Sequence, residues 1–381
     1  MFSKYIKNIE ERISSLNFKT TSVDEILEKA QDGKKLFLEE LGNLLSVNPE
    51  KDVGLFTKIL DTSRQIKEKI FKNKVFPIVP IYVSSFCREC CSYCNYRAKN
   101  KYKMIKRIRL TPVQLRKEIE YLVLKKGLKV VELVYGSDPK IISEIPNHIK
   151  LAHIILDKVN GGMVAINAEP FTVEKYRILK ESGLDFVVLW QETYQREYYK
   201  HLHPYKTPKA NFNYRMDDFE RMIQAGIRNI GLGILSGLAP WRTDWLLLME
   251  HERYLFNNYK IRTSIVGVPR LKPAAGALIQ FTPFVPSDKE FLLAVAVHNI
   301  FSPKALPFVN TREKFDLCTH LAKGGGTLFT FNCSTIPGGY VLGNEGYQFP
   351  TYDFDVNEYL PKLQSKGLKP IFNWNFNEKL C

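Results

Sequence analysis

Val79-Pro80-Ile81-Tyr82-Val83-Ser84-Ser85-Phe86-Cys87-Arg88-Glu89-Cys90-Cys91-Ser92-Tyr93-Cys94 runs from a short apolar segment straight into a loop carrying four thiols. The first five residues read as a buried strand. The cysteines at 87, 91 and 94 form a C-x3-C-x2-C triplet. Three thiolates can hold three irons of a four-iron, four-sulfur cluster and leave the fourth without a protein ligand. An iron with an open position can bind a small molecule and pass it an electron. Two other readings compete. With Cys90 the loop is also C-x2-C-C-x2-C, a compact zinc knot, although closed zinc sites usually take their cysteine pairs from separate turns. A Cys-x-x-Cys redox pair would instead open a helix in a much smaller thioredoxin-like unit. The open cluster is preferred, with Cys87, Cys91 and Cys94 as ligands and Cys90 as a bystander.

Outward from this loop the chain divides in two. Residues 1–75 read as a helical extension: Ser22-Val23-Asp24-Glu25 has the form of a capping box before an apolar-periodic run, and Val53 to Phe71 has apolar residues at helical spacing. From Phe76 onward, short apolar runs alternate with amphipathic stretches, the pattern of βα units around a parallel sheet. Strands are expected at Val79–Val83, Val130–Val134, Met163–Asn167, Phe186–Leu189, Ile227–Leu232, Ile261–Val266, Leu306–Asn310 and Thr327–Phe331. Helices are expected at Thr111–Leu124, Val173–Ser182, Asp217–Ala225, Asp244–Asn257 and Ser287–Asn299. The fold class is thus α/β, a (β/α)8 TIM-type barrel over residues 76–381 with the helical extension before it. Chemistry in such barrels lies at the C-terminal ends of the strands. The cysteine loop follows the first strand, Gly136-Ser137-Asp138 the second, Gln191-Glu192-Thr193-Tyr194 the fourth and Thr311-Arg312-Glu313 the seventh, so separate segments converge on one face.

Composition narrows the setting. No apolar run approaches the ~20 residues of a membrane span, and the N-terminus lacks a signal peptide's apolar core, so a cytoplasmic protein is expected. Seven cysteines, four of them in one loop, make no disulfide framework, and Cys318, Cys333 and Cys381 are expected to be reduced. The net charge of +15 raises the question of nucleic acid. Twelve Lys and Arg lie between Arg97 and Lys129, against Glu118 and Glu120 alone. No aromatic-interleaved binding module follows, so a solvated basic face is the preferred reading, one able to attract an acidic electron donor such as a flavodoxin or ferredoxin.

The loop resembles the cluster motif of radical S-adenosylmethionine (SAM) enzymes. Further segments are similar to the 2-iminoacetate synthase (tyrosine lyase) family of thiamine biosynthesis: Trp190-Gln191-Glu192-Thr193-Tyr194, Tyr214-Arg215, Gly231 to Leu238, Trp241-Arg242-Thr243-Asp244, Pro269-Arg270-Leu271-Lys272-Pro273, Thr311-Arg312-Glu313, Ile336-Pro337-Gly338-Gly339-Tyr340 and Gly367-Leu368-Lys369-Pro370. The resemblance covers about residues 30 to 378. It implies a [4Fe-4S] cluster and SAM as cofactors and an aromatic amino acid as substrate, whose Cα–Cβ bond is cleaved. From tyrosine the products are 2-iminoacetate and p-cresol, with thiazole synthase as a further partner. The cofactor-binding residues it implies are Tyr93, Asp138, Gln191, Glu192, Tyr194, Arg215, Gly231 and Gly233. Tyr93 would meet the adenine, Glu192 and Arg215 the ribose and carboxylate of SAM, and the glycines would let backbone approach the adenosine. Arg312 is expected at the substrate carboxylate, with Ser334 and Thr335 at its amine or carboxylate. The bland alternatives are an Arg312 paired with Glu313 at the surface, and Ser334 and Thr335 as turn or cap residues. This sequence departs from the family at Tyr135-Gly136-Ser137-Asp138, where Thr-Gly-Glu is usual, at Asn95-Tyr96 in place of Gly-Phe, and at Cys90. A related subfamily acts on tryptophan. The hydrogenase-ligand relatives carry a further C-terminal domain not found before Cys381.

Overall fold

The computed structural model describes residues 1–101, 106–204 and 207–376, which leaves Cys381 outside the described residues. The eight expected strands form at Lys74–Ser84 (β1), Val130–Tyr135 (β2), Met163–Asn167 (β3), Phe186–Glu192 (β4), Ile230–Ile234 (β5), Ile265–Gly267 (β6), Leu306–Val309 (β7) and Leu328–Thr330 (β8). All pair in parallel in chain order, and β1 bonds to both β8 and β2, so the sheet closes into a barrel. Parallel strands are covered on both faces, which is why β1 is buried from its second residue to its last.

Several bounds differ from the sequence expectation for local reasons. β1 begins five residues early because its first residues pair with β8 and with a short ninth strand, Lys369–Pro370 (β9). β5 begins at Ile230 because Ile227 still donates its N–H to Met222 at the end of the preceding helix. β6 begins at Ile265 because Lys260, at φ 58°, ends the helix Trp241–Tyr259 in the left-handed region. The stretch expected as one helix from Thr111 divides into Pro112–Glu120 and a π-turn, Tyr121–Lys125. Ser22 makes no side-chain cap for the helix Val23–Gln31. Its hydroxyl accepts instead from the Asn43 amide at 3.1 Å.

Inside the barrel, Phe76, Ile78, Val130, Met163, Ala165, Phe186, Val188, Ile265, Leu306, Phe308 and Leu328 form one apolar plug. Its N-terminal end is sealed by Trp374, whose indole N–H donates to the Pro77 carbonyl at 3.0 Å and whose ring meets Phe76. The opposite, C-terminal end stays open. Four α-helices precede β1, at Ile6–Ser15, Val23–Gln31, Leu38–Ser46 and Val53–Phe71. The last packs along Asp288–Phe301, where the Asn299 amide donates to the Ser63 carbonyl and hydroxyl at 2.9 Å. Lys67 reaches the Ala322 carbonyl at 2.5 Å, and burial pushes its ammonium down to about 8. The N-terminal helices share one hydrophobic core with the helices around the barrel.

Candidate active site

The cysteine loop leaves β1 at Ser84 and turns over the open mouth. Its backbone is held both by neighbouring segments and within the loop. Arg88 N–H donates to the Ser137 carbonyl at 2.9 Å and Ala98 N–H to the Glu89 carbonyl at 2.7 Å. Arg107 binds the carbonyls of Ser85, Tyr96 and Arg97. Gly136 permits the close approach of β2 to this loop, since a Cβ there would stand 2.2 Å from the Phe86 carbonyl oxygen. Cys87, Cys91 and Cys94 face one cavity, and the buried Cys90 does not line it. Burial pushes the Cys87 thiol up to about 11 and the Cys91 thiol higher still, while the Lys209 ammonium opposes both shifts. Two donors reach the third sulfur: the Tyr96 N–H at 3.3 Å and the Gln348 amide at 3.4 Å. The Gln348 carbonyl in turn accepts from Tyr82 at 2.8 Å.

Charged groups gather on the β4 side of the same cavity. Glu192 ends β4 at φ 76°, beside a register shift against β5. Non-glycine residues take this left-handed conformation uncommonly. Burial raises the Glu192 carboxyl, but Lys209 at 2.6 Å and Arg215 at 4.0 Å outweigh that and hold it below the usual range. Arg215 donates to the Trp190 carbonyl through Nε and Nη2, and its buried Nη1 has no partner. Tyr93 lines the cavity, with its hydroxyl 2.9 Å from His203 Nε2. On the β2–β3 side stands Glu169, paired with Arg88 at 2.9 Å.

Arg312, just beyond β7, has its guanidinium carbon over the Phe349 ring, 3.4 Å from the centroid, and bonds the Arg270 carbonyl at 3.3 Å. Glu313 turns away from it and is held by Arg270 and by Lys272 at 3.1 Å. The surface Arg312–Glu313 pair is therefore not formed. Deeper in, Glu132, Asn167, Trp190, Phe308 and Thr330 line the floor, and Cys333 lines the wall beside Arg312.

Of the residues singled out from sequence, Cys87, Cys91, Cys94, Tyr93, Glu192, Arg215 and Arg312 meet in this cavity. Seven others do not line it. Asp138 is saturated by Arg109 at 2.6 and 2.7 Å and by the Ser84 hydroxyl at 2.6 Å, so it clamps the cysteine loop instead of facing the cavity. Gln191 alternates with the inward Trp190 and Glu192 and is buried in the barrel wall. Tyr194 bonds His251 at 3.0 Å in the layer between barrel and outer helix. Gly231 and Gly233 make room for side chains: a Cβ would stand 2.6 Å from Val188 and 2.3 Å from the Trp190 ring respectively. The Ser334 N–H donates to Tyr340, and the Thr335 hydroxyl donates to the Phe349 carbonyl and accepts from the Gln348 N–H. Both serve to shape the loop after β8.

Comparison with known proteins agrees with this geometry. The model of the radical SAM superfamily matches residues 81–239, from β1 through the cysteine loop to the turn after β5. The 2-iminoacetate synthase of Salmonella typhimurium (strain LT2) is 27% identical over 353 residues, 92% of this chain and 90% of that protein. HydG, a maturase of the [FeFe]-hydrogenase, superposes with a TM-score of 0.88 at 32% identity over 97% of this chain and 80% of its own. The chain belongs to the radical SAM superfamily, among the relatives of 2-iminoacetate synthase. A 3-methylornithine synthase of Methanosarcina acetivorans is also similar, 24% identical over 92% of this chain.

Radical SAM enzymes use a [4Fe-4S] cluster and SAM, and the residues present fit both. Three thiols, that of Cys91 buried and those of Cys87 and Cys94 partly exposed, share a cavity with the Lys209 ammonium, which favours thiolates. Among the described residues no three His, Cys, Asp or Glu side chains are placed to hold a single metal ion. The unpartnered Arg215 Nη1 is a donor awaiting an anion. Sequence reading overlooked Lys209, Glu169, Cys333 and Glu132. Only Glu132 left a signal there, an acid inside the apolar run Val130-Val131-Glu132-Leu133-Val134.

Proposed function

We propose that this enzyme cleaves the Cα–Cβ bond of L-tyrosine to give 2-iminoacetate and p-cresol, and so supplies thiamine thiazole synthesis. The observation that carries the reading is the placement of Arg312. Its guanidinium lies in the same cavity as the three thiols, oriented by Phe349 and free of Glu313. Such a fork matches a carboxylate bidentately, so Arg312 would hold the substrate carboxylate within reach of the cluster end. When bound, the cluster and SAM would supply the radical chemistry needed to remove a hydrogen from the substrate amine. Tyr93, Glu192 and Arg215 would hold the adenine, ribose and carboxylate of SAM. Glu169 is the acid that would take the SAM ammonium, since it lines the cavity and Asp138 does not.

The reading includes a cytoplasmic setting and an acidic flavodoxin or ferredoxin as electron donor, with thiazole synthase accepting the unstable imine. Among the described residues no helix is long and apolar enough to cross a membrane. Part of the basic stretch is spent internally, with Arg107 on the cysteine loop, Arg109 on Asp138 and Lys126 on Asp355. Anaerobically reconstituted enzyme with SAM, a reductant and single amino acids tests the substrate. Tyrosine should give 5′-deoxyadenosine, and deoxyadenosine formed with tryptophan alone would move the assignment to the tryptophan-cleaving relatives.

A further inference from the structure

We propose that the cavity floor is a phenol-recognition site, in which Glu132 and Thr330 hold the hydroxyl of the substrate side chain while Trp190 and Phe308 flank its ring. The inference rests on the lyase reading above and adds the group that selects the substrate.

Glu132 stands in the middle of β2, in register with Pro80 of β1 and Ala165 of β3, directly above the apolar plug. It is 4% exposed, and the hydrogen bond to its carboxylate is one from the Asn167 amide at 2.9 Å. Among the described residues no cation pairs with it within 4.0 Å. Thr330, 3% exposed on β8, has a buried hydroxyl with no partner. Buried polar groups left unpaired are costly, so what fills the cavity must satisfy them.

The walls beside them are aromatic. Trp190 and Phe308 meet edge to face, with centroids 5.8 Å apart at 89°. Gly233 and Gly267 create the space for the indole, since a Cβ at Gly267 would stand 2.4 Å from it. Tyr82 and Cys333 lie within electrostatic reach of both Glu132 and Arg312. With Arg312 and Glu132 lining the same cavity, an amino acid held by its carboxylate at Arg312 would extend its side chain toward Glu132. A phenol gives one hydrogen bond and takes one, which matches a carboxylate acceptor beside a hydroxyl donor. An indole offers a donor only, and an ammonium brings three donors and no acceptor.

Calorimetric binding of tyrosine, phenylalanine, tryptophan and lysine to the reconstituted holoenzyme with SAM, under anaerobic conditions, tests this. Tyrosine should bind roughly ten- to a hundredfold more tightly than phenylalanine. Glu132→Gln and Thr330→Val should each narrow that gap by weakening tyrosine, with phenylalanine affinity preserved as the measure of an intact cavity. Equal affinity for tyrosine and phenylalanine in the unaltered enzyme, or a gap unchanged in both variants, would overturn the proposal. Lysine bound more tightly than tyrosine would also overturn it and assign the floor to a cationic side chain. Strong preference for tyrosine over phenylalanine without p-cresol release would keep the floor and remove the lyase reading. Release of p-cresol with no such preference would do the reverse.

Discussion

Arg312 has its guanidinium carbon 3.4 Å from the centroid of the Phe349 ring, and it gives one hydrogen bond to the Arg270 carbonyl at 3.3 Å. Removing one partner of a buried charged hydrogen bond costs several kcal/mol, so Arg312→Ala should lower kcat/KM for tyrosine by roughly two to three orders of magnitude. Arg312→Lys should recover only a part, because an ammonium has neither the fork nor the stack. Product assays at matched iron content check this, and a loss of less than about threefold would remove Arg312 from substrate binding. Glu132 gives a pH signature. Burial pushes its carboxyl from the ordinary 4.5 up to about 7. The folded chain therefore keeps this proton where the unfolded chain has lost it, and stability falls as pH rises from about 4.5 to about 7. Glu132→Gln lacks that loss. Thermal unfolding of substrate-free protein should show the variant gaining on the parent between pH 5 and pH 8, and a constant difference would count against it. Legibility at this scale followed chemical distinctiveness. Clustered cysteines and an Arg beyond a strand were readable, whereas Ser334, Thr335 and Asp138 were not. Their partners (Tyr340, Phe349 and Arg109) lie outside the helices and strands, where no period ties one side chain to another.

At the scale of elements, short apolar runs located all eight barrel strands, because parallel strands buried on both faces leave an apolar record in the chain. The ends were less readable: they depend on left-handed residues such as Lys260 and on tertiary pairings such as that of β9 with β1. The register shift at Glu192 left no sequence mark either, yet it aims a carboxylate at Lys209. The β1 and β2 ends offer a direct test. A methyl group at Gly136 would meet the Phe86 backbone oxygen at 2.2 Å, a contact that side-chain movement cannot relieve. Gly136→Ala should displace the cysteine loop, lowering iron and sulfide content per chain while far-UV circular dichroism stays near that of the parent. Full cluster content in a folded variant would show that the loop does not depend on this approach.

For the whole molecule, a barrel sealed by Trp374 at one end and open at the other brings three thiols, a basic pair around Glu192, and Arg312 into one cavity. Family resemblance and strand order together made the open face legible from sequence. The depth of the cavity and its floor were not, because they arise from glycines that admit the Trp190 ring and from one acid in an apolar strand. The central claim is cleavage of tyrosine. Its most direct test is the ratio of p-cresol to 5′-deoxyadenosine formed by the anaerobically reconstituted enzyme with SAM, a reductant and tyrosine. The account predicts p-cresol in near-equal amount to deoxyadenosine. Deoxyadenosine that accumulates from tyrosine without p-cresol would contradict it.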